Sequence, residues 1–298
     1  MVFLCLFHQL FNGYFMKHIV NLTVFFVSIL MISGCDEIDP LKTPYKTSGT
    51  VIEVTGTQKV LIEDFTGFKC GNCPAAADKA KALSQSYPDK VILLAIHSGE
   101  TFARPSGSKY KVDFRTSPGD ELFNTFLGAT GGQPNGMVNR ATLGSSKIIA
   151  PDGWANEVAN QLSKKATAAM DIIPTYNAST QELSVNVSTT WIEEGNADQY
   201  LSVYLSEDSI VYWQKDYRKT PEDDSAYVHM HMLRAAIGNF GTWGESLGMQ
   251  NPGSKVSKTY TISLQGKPWK PEHCHVVAIL HNKTEGSIVL VDEKKVKM

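Results

Sequence analysis

Charge of either sign is not in excess in this sequence. Its 298 residues hold 28 Lys and Arg against 30 Asp and Glu, which gives a formal net charge of -2. Because binding to a phosphate backbone needs a basic excess, this balance gives no indication of a nucleic-acid partner. A disordered tail of like charges is absent as well. The composition is that of a globular protein long enough for two domains.

The sequence also lacks a clear membrane-spanning run near its amino terminus. A spanning helix needs about 20 apolar residues, and the apolar stretch 19–32 is shorter than that. It follows the basic start Met16-Lys17-His18 and ends at Ser33-Gly34-Cys35. This pattern predicts a signal sequence over residues 1–34 with its true start at Met16. An uncleaved membrane anchor is the alternative.

The residues around Cys35 resemble a bacterial lipobox. The resemblance implies cleavage before Cys35, lipidation of that cysteine and a lipid anchor in a membrane. Residues 35–50 are rich in Pro, Gly and polar residues, which predicts a flexible tether. Asp36 and Glu37 resemble the export signal of Bacteroidetes surface lipoproteins, which implies an outer-membrane location facing the periplasm or the cell surface. A disulfide can persist in either place.

A Cys-x-x-Cys pair lies between an apolar stretch and an Ala-rich segment. Cys70 and Cys73 follow the short apolar run 60–62 and a turn at Gly67, and a predicted helix begins at the pair. The amino terminus of a helix favours a thiolate at Cys70. Half of a zinc site and a small structural disulfide are the alternative interpretations of such a pair. Its position between strand and helix favours a redox pair.

A second strand follows this helix. Residues 91–96 are entirely apolar, which predicts a buried strand. A strand, a helix and a strand in this order predict a right-handed crossover and a parallel pair. Further on, residues 98–119 are predicted to form an insertion, residues 146–149 an antiparallel edge, and Asp152 the cap of a closing helix.

The segment from the first strand to the cysteine pair resembles the thioredoxin family. The resemblance implies that Cys70 is the nucleophile, that Cys73 resolves the mixed disulfide, and that Asp64, six positions before Cys70, accepts a proton. Glu63 is an alternative acid, because neighbouring strand residues face opposite ways and one of the two points inward. The family also holds a cis-proline opposite the disulfide, and Pro134 is the candidate here. An ordinary trans turn proline is the alternative.

The pattern changes to a period of two after Ala168. Residues 183–190 and 201–206 alternate between apolar and polar positions, as half-buried strands do. About eight short strands with turn signals between them predict a β-sandwich. The Gly-rich stretch 238–253 is predicted to be a surface loop.

Two histidine pairs lie in this second part of the chain. A spacing of two on a strand puts both members on one face, which a metal site can use. Without an acidic cluster beside them, polar strand faces are the favoured interpretation, and the sequence predicts neither a metal nor a cofactor. Cys274 is expected to point into the core. The four histidines are His229, His231, His273 and His275.

Several stretches together resemble the Bacteroidetes outer-membrane lipoprotein family Omp28. They are residues 63–67, Cys70-Gly-Asn-Cys-Pro74, and residues 132–140, 227–234 and 241–244. The resemblance implies an α/β thioredoxin-like domain over residues 51–167, followed by an all-β immunoglobulin-like sandwich domain over residues 168–298. It implies no established reaction.

Three functions are compatible with these sequence features. The first is thiol–disulfide exchange, whose partners are the thiols or disulfides of extracytoplasmic proteins. The second is a surface binding or adhesion lipoprotein that holds a surface ligand and has a structural Cys70–Cys73 disulfide. The third is a metal-binding surface protein that uses the histidine pairs.

Overall fold

The computed structural model describes residues 56–128 and 131–298. The predictions for the signal sequence, Met16, Cys35 and the tether lie outside the described residues. In the part that is described, no helix is long and apolar enough to cross a membrane. The strands are β1 Val60–Thr66, β2 Val91–His97, β3 Asn135–Val138, β4 Ala168–Asn177, β5 Glu182–Trp191, β6 Gln199–Glu207, β7 Ile210–Lys215, β8 Asp223–His229, β9 Met232–Ala236, β10 Glu245–Ser246, β11 Lys255–Ser263, β12 Cys274–Asn282 and β13 Ile288–Lys295, and the helices are α1 Cys73–Ser86, α2 Ser117–Phe126 and α3 Trp154–Leu162.

β1 and β2 form the predicted parallel pair. Their register aligns Val60 with Val91 and Thr66 with His97 along the whole length of both strands. Every residue of β1 is buried, as expected for a strand covered on both faces. The apolar runs 60–62 and 91–96 thus predict these two strands correctly.

A mixed sheet extends from β3 at one edge to β13 at the other. The strand order is β13-β12-β6-β9-β2-β1-β3, and β10 adds to β6. β2 and β9 meet at a single paired position, Ala95 with Met232. A shared core crosses this narrow junction and joins Leu61, Leu94 and Ile279. Strands from both segments, 51–167 and 168–298, therefore share this mixed sheet.

A three-stranded sheet, β11-β5-β4, packs on the carboxy-terminal part of the mixed sheet. Alternate residues of β5 point into this interface, as the period of two predicts, and β5 is buried at every second position. They meet buried residues of β12 such as Val276 and Ala278. This arrangement gives a layered core between two sheets.

The prediction of a half-buried strand is wrong for β6. All its residues except Tyr200 are buried. β6 pairs with β12 on one side and with β9 and β10 on the other, so it lies inside the sheet. Ser202 remains satisfied there, because its hydroxyl donates to the carbonyl of Thr242 at 2.9 Å.

Two local predictions after β3 need correction. Residues 146–149 form no strand; they take part only in two isolated bridges, Ile149 with Gly136 and Ser146 with Leu143. Asp152 lies inside the 3-10 turn Pro151–Gly153, and no side chain caps α3. Its carboxylate pairs with Lys79 of α1 instead.

β7 and β8 form a hairpin that is a separate two-stranded sheet. Val211 pairs with Val228 and Tyr212 with Tyr227. The inner side of the hairpin packs on an aromatic cluster that contains Phe68 and Phe114. The hairpin therefore covers the loop that follows β1.

Candidate active site around the Cys70–Cys73 disulfide

Cys70 and Cys73 are joined by a disulfide at the start of α1. Cys73 is the first residue of the helix, and Pro74 occupies its first turn, where a missing N–H costs nothing. The Cys70 N–H donates to the carbonyl of Gly67 at 2.9 Å, which closes the turn after β1. Only 2% of Cys70 and 1% of Cys73 are exposed.

The side chain of Asp64 is on the face of the sheet where α1 and the disulfide lie. Ile62, two positions before it, packs against Ala76 of α1 on the same face. Asp64 is 6% exposed, and among the described residues its Oδ1 has no hydrogen-bond partner. Burial raises the pKa of its carboxyl to about 7.

Glu63 faces the opposite side of β1 and already has a partner. Its two carboxylate oxygens accept hydrogen bonds from Arg140 at 2.6 and 2.8 Å. Both side chains are fully buried or nearly so. A buried carboxylate in a bidentate pair is satisfied, so Asp64, and not Glu63, is the acid on the disulfide side.

Pro134 directly precedes β3. The Gln133–Pro134 peptide bond is cis, as the resemblance implies, and not the trans bond of an ordinary turn. β3 runs antiparallel to β1, where Asn135 pairs with Phe65 and Gly136 with Asp64. Pro134 thus lies at the end of β1 from which the chain leads into the cysteine turn.

A cavity of about 440 Å³ opens beside Cys73. This volume is in the range of small-molecule sites, about 300–1,000 Å³. The cavity lies between α1, the ends of β1 and β2, and the covering hairpin. Residues of its wall include Asp64, Cys73, His97, Gln214, Tyr227 and His229.

Two buried histidines in this cavity wall were not predicted as a pair. His97 and His229 lie with ring centroids 5.4 Å apart. Burial lowers the pKa of His97 well below its ordinary value and that of His229 to about 4, so both are neutral at pH 7. Neither ring nitrogen of His97 has a partner among the described residues. The sequence feature that could have pointed to His97 is its position directly after the apolar run 91–96, where it is the first polar residue.

The histidine pairs proposed for a metal do not lie on shared strand faces. β8 ends at His229, and His231 follows it with a positive φ of 54°. His273 belongs to the 3-10 turn before β12, while His275 lies on that strand. Across residues 56–128 and 131–298, no group of three or more His, Cys, Asp or Glu side chains is arranged to hold a metal ion. Cys274 is free and fully buried.

His231 and His275 do meet, at a shared acid. Asp208 lies 3.4 Å from His231 Nδ1 and 3.5 Å from His275 Nε2. The structure thus brings together one member of each pair, at the base of the β7–β8 hairpin.

The hairpin and the turn after β7 cover the loop that holds Cys70. Gln214 Nε2 donates to the carbonyl of Cys70 at 3.0 Å and to that of Gly67 at 3.3 Å. The ring of Tyr217 lies against Gly71, where an added Cβ would come within 2.5 Å of it. No local pattern in the sequence indicates this cover, because Gln214 and Cys70 are 144 positions apart in the chain.

Comparison with known proteins gives a family and a fold. The family described as outer membrane protein Omp28 matches residues 121–298. HBP35 of Porphyromonas gingivalis has a similar structure, with a TM-score of 0.62 and 19% sequence identity over 81% of this chain and 76% of that one. A domain of the outer membrane lipoprotein Omp28 from the same organism is 22% identical, covers 44% of this chain and 89% of that one, and has a TM-score of 0.30. No curated protein matches the sequence.

Proposed function

The chain belongs to the Omp28 family of outer-membrane proteins, and from this premise we propose that it exchanges thiols and disulfides with extracytoplasmic proteins. Its partners are protein thiols or protein disulfides. A lipid on Cys35 holds it in the outer membrane, facing the periplasm or the cell surface.

The reaction uses the two cysteines in turn. In the reduced protein the Cys70 thiolate attacks one sulfur of a substrate disulfide, and the other substrate sulfur leaves as a thiolate. Asp64 takes the proton of the Cys73 thiol, and the Cys73 thiolate attacks Cys70 Sγ. The Cys70–Cys73 bond forms, and the second substrate thiolate is released. Two electrons pass from the protein dithiol to the substrate, and the reverse sequence oxidises a substrate dithiol.

The main support for this proposal is the buried, incompletely hydrogen-bonded carboxyl of Asp64. A buried carboxyl with an oxygen lacking a partner destabilises the fold, so it needs a reason to be there. It lines the same cavity wall as Cys73. A pKa of about 7 lets it both accept and return a proton near neutral pH.

We also propose that residues 51–167 form a thioredoxin-like domain and that residues 168–298 form an immunoglobulin-like sandwich. The parallel β1–α1–β2 unit and the Pro134 turn before β3 support the first assignment. The packing of the β11-β5-β4 sheet on β6, β12 and β13 supports the second.

Trapping the mixed disulfide tests the proposal. The full-length protein in detergent is reduced and mixed with an unstructured peptide whose single cysteine carries a thionitrobenzoate group. Cys73→Ser should form a stable adduct between Cys70 and the peptide, seen by mass spectrometry, because no thiol is left to resolve it. Cys70→Ser keeps every other cysteine and should form none. Equal adduct formation by both variants contradicts the assigned roles.

One observation favours the alternative, a surface binding or adhesion lipoprotein with an inert disulfide. Both cysteines are almost fully buried, as a structural disulfide would be. Such a disulfide has no use for the carboxyl of Asp64 beside it. If this alternative holds, the reduced protein forms no adduct in either single variant, even after the cover described below is weakened.

A further inference from the structure

The segment 214–217 runs along the loop 67–71 as a bound chain would. The N–H groups of Lys215 and Tyr217 donate to the carbonyls of Phe68 and Gly71 at 2.8 and 3.0 Å. Donors at alternate residues are typical of an extended chain, but the acceptors Phe68 and Gly71 are three residues apart in the cysteine turn, so this contact is not a regular strand ladder. Because these are main-chain bonds, another extended polypeptide of different sequence has the groups to form them.

The same segment shields the reactive sulfurs. Gln214 hydrogen-bonds the Cys70 carbonyl and the Tyr217 ring lies on Gly71, and Cys70 is left 2% exposed. Thiol–disulfide exchange requires an incoming sulfur to reach a cysteine sulfur directly. A protein substrate therefore has no path to Cys70 while the segment is in place.

We propose that the segment 214–217 occupies the docking place of an extended polypeptide substrate and holds the disulfide closed until the hairpin moves. This inference rests on the proposed function. The substrate class is an extended, locally unfolded chain with a cysteine, recognised through its backbone and not through its sequence.

The hairpin is held by the apolar packing of its inner side on the aromatic cluster and by polar contacts, and opening it as a unit gives up both. β7 and β8 pair only with each other among the described strands, so opening breaks no rung of the mixed sheet. Its outer polar contacts include two partly exposed ion pairs, Asp223 with Lys109 at 2.6 Å and Arg218 with Asp78 at 2.7 Å. The hydroxyl of the buried Tyr110 also donates to Asp223 at 2.6 Å. Exposed ion pairs of this kind contribute little to stability, and local opening of such elements precedes global unfolding.

Weakening the cover tests the inference. The variant Gln214→Ala/Tyr217→Ala removes the side-chain hydrogen bonds to the cysteine loop and the ring over Gly71. We expect the oxidised full-length protein to be reduced by tris(carboxyethyl)phosphine about tenfold faster than wild type, which corresponds to about 1.4 kcal/mol of easier opening. Val211→Ala is the matched control, because this side chain is on the same hairpin and 62% exposed. Equal rates in wild type and the double variant overturn the inference.

A second arm uses the thionitrobenzoate peptide and separates the two proposals. The reduced double variant should release thionitrobenzoate about tenfold faster than wild type, and Cys70→Ser in the same background should abolish the release. If Cys70→Ser abolishes exchange but the double variant is no faster, the docking inference is wrong and the proposed function stands. If release is unaffected by Cys70→Ser while the phosphine result holds, the cover is real and the proposed function is wrong.

Discussion

Replacing Asp64 by Asn should change how stability depends on pH. The carboxyl is protonated in both folded and unfolded chains below pH 3.8, and it is ionised in both above pH 7. Between these values the folded state keeps the proton that the unfolded state has lost. Unfolding then releases a proton, so the contribution of Asp64 to stability falls as pH rises through this window.

The size of the effect follows from the same two pKa values. A rise from 3.8 to about 7 corresponds to roughly 4 kcal/mol, at about 1.36 kcal/mol for each tenfold change in proton affinity. The amide of the Asp64→Asn variant does not ionise, so it adds only an offset that is independent of pH. The variant should therefore gain about 4 kcal/mol relative to wild type between pH 4 and pH 8.

Urea unfolding of the oxidised proteins, followed by tryptophan fluorescence at several pH values, measures this difference. The difference between variant and wild type cancels the titration of the histidines, which both chains share. Asp152→Asn removes an exposed carboxylate and controls for the loss of one surface charge. A difference between Asp64→Asn and wild type that stays constant from pH 4 to pH 8 refutes the assignment of a raised pKa to Asp64.

Two further predictions concern buried charge. Arg140→Met leaves the Glu63 carboxylate without its partner and should destabilise the fold by about 3–5 kcal/mol in urea unfolding. The double variant Glu63→Gln/Arg140→Met should recover most of this lost stability. No recovery would contradict a pairwise interaction. Burial lowers the pKa of His229 from 6.5 to about 4, so as pH falls the unfolded state binds a proton first and stability is lost between pH 6.5 and pH 4. His229→Gln should remove roughly 3 kcal/mol of that loss in urea unfolding. An unchanged dependence of stability on acid pH would contradict this prediction.

Much of the local structure is predictable from the sequence because it depends on neighbours along the chain. The apolar run at the start of β1 and the alternation in β5 encode the burial of one or both strand faces. Cys73 begins a helix because Pro74 suits a first turn and alanines follow. The failures are equally physical. β6 looks half-exposed, yet one of its faces packs on the β11-β5-β4 sheet and Tyr204 on the other face packs in the core shared with β1 and β2.

The candidate site is only half visible in the sequence. Spacing and resemblance put Asp64, Cys70, Cys73 and Pro134 forward, but they leave Glu63 as a rival acid. Arg140, which is 77 positions from Glu63, decides between the two by pairing with Glu63. Nothing local to residues 63–64 specifies that contact.

Local sequence is enough to specify a strand, a cysteine turn and a helix, since hydrophobic period and turn chemistry act over a few residues. Long-range contacts settle which acid lies beside the disulfide, and they bring Gln214 and Tyr217 over it. These contacts join segments far apart in the chain: Arg140 pairs with Glu63 across 77 positions, and the cover forms because the β7–β8 hairpin buries its inner side on the aromatic cluster around Phe68. Such a choice of partner depends on the shapes of whole surfaces, which no short stretch of sequence contains.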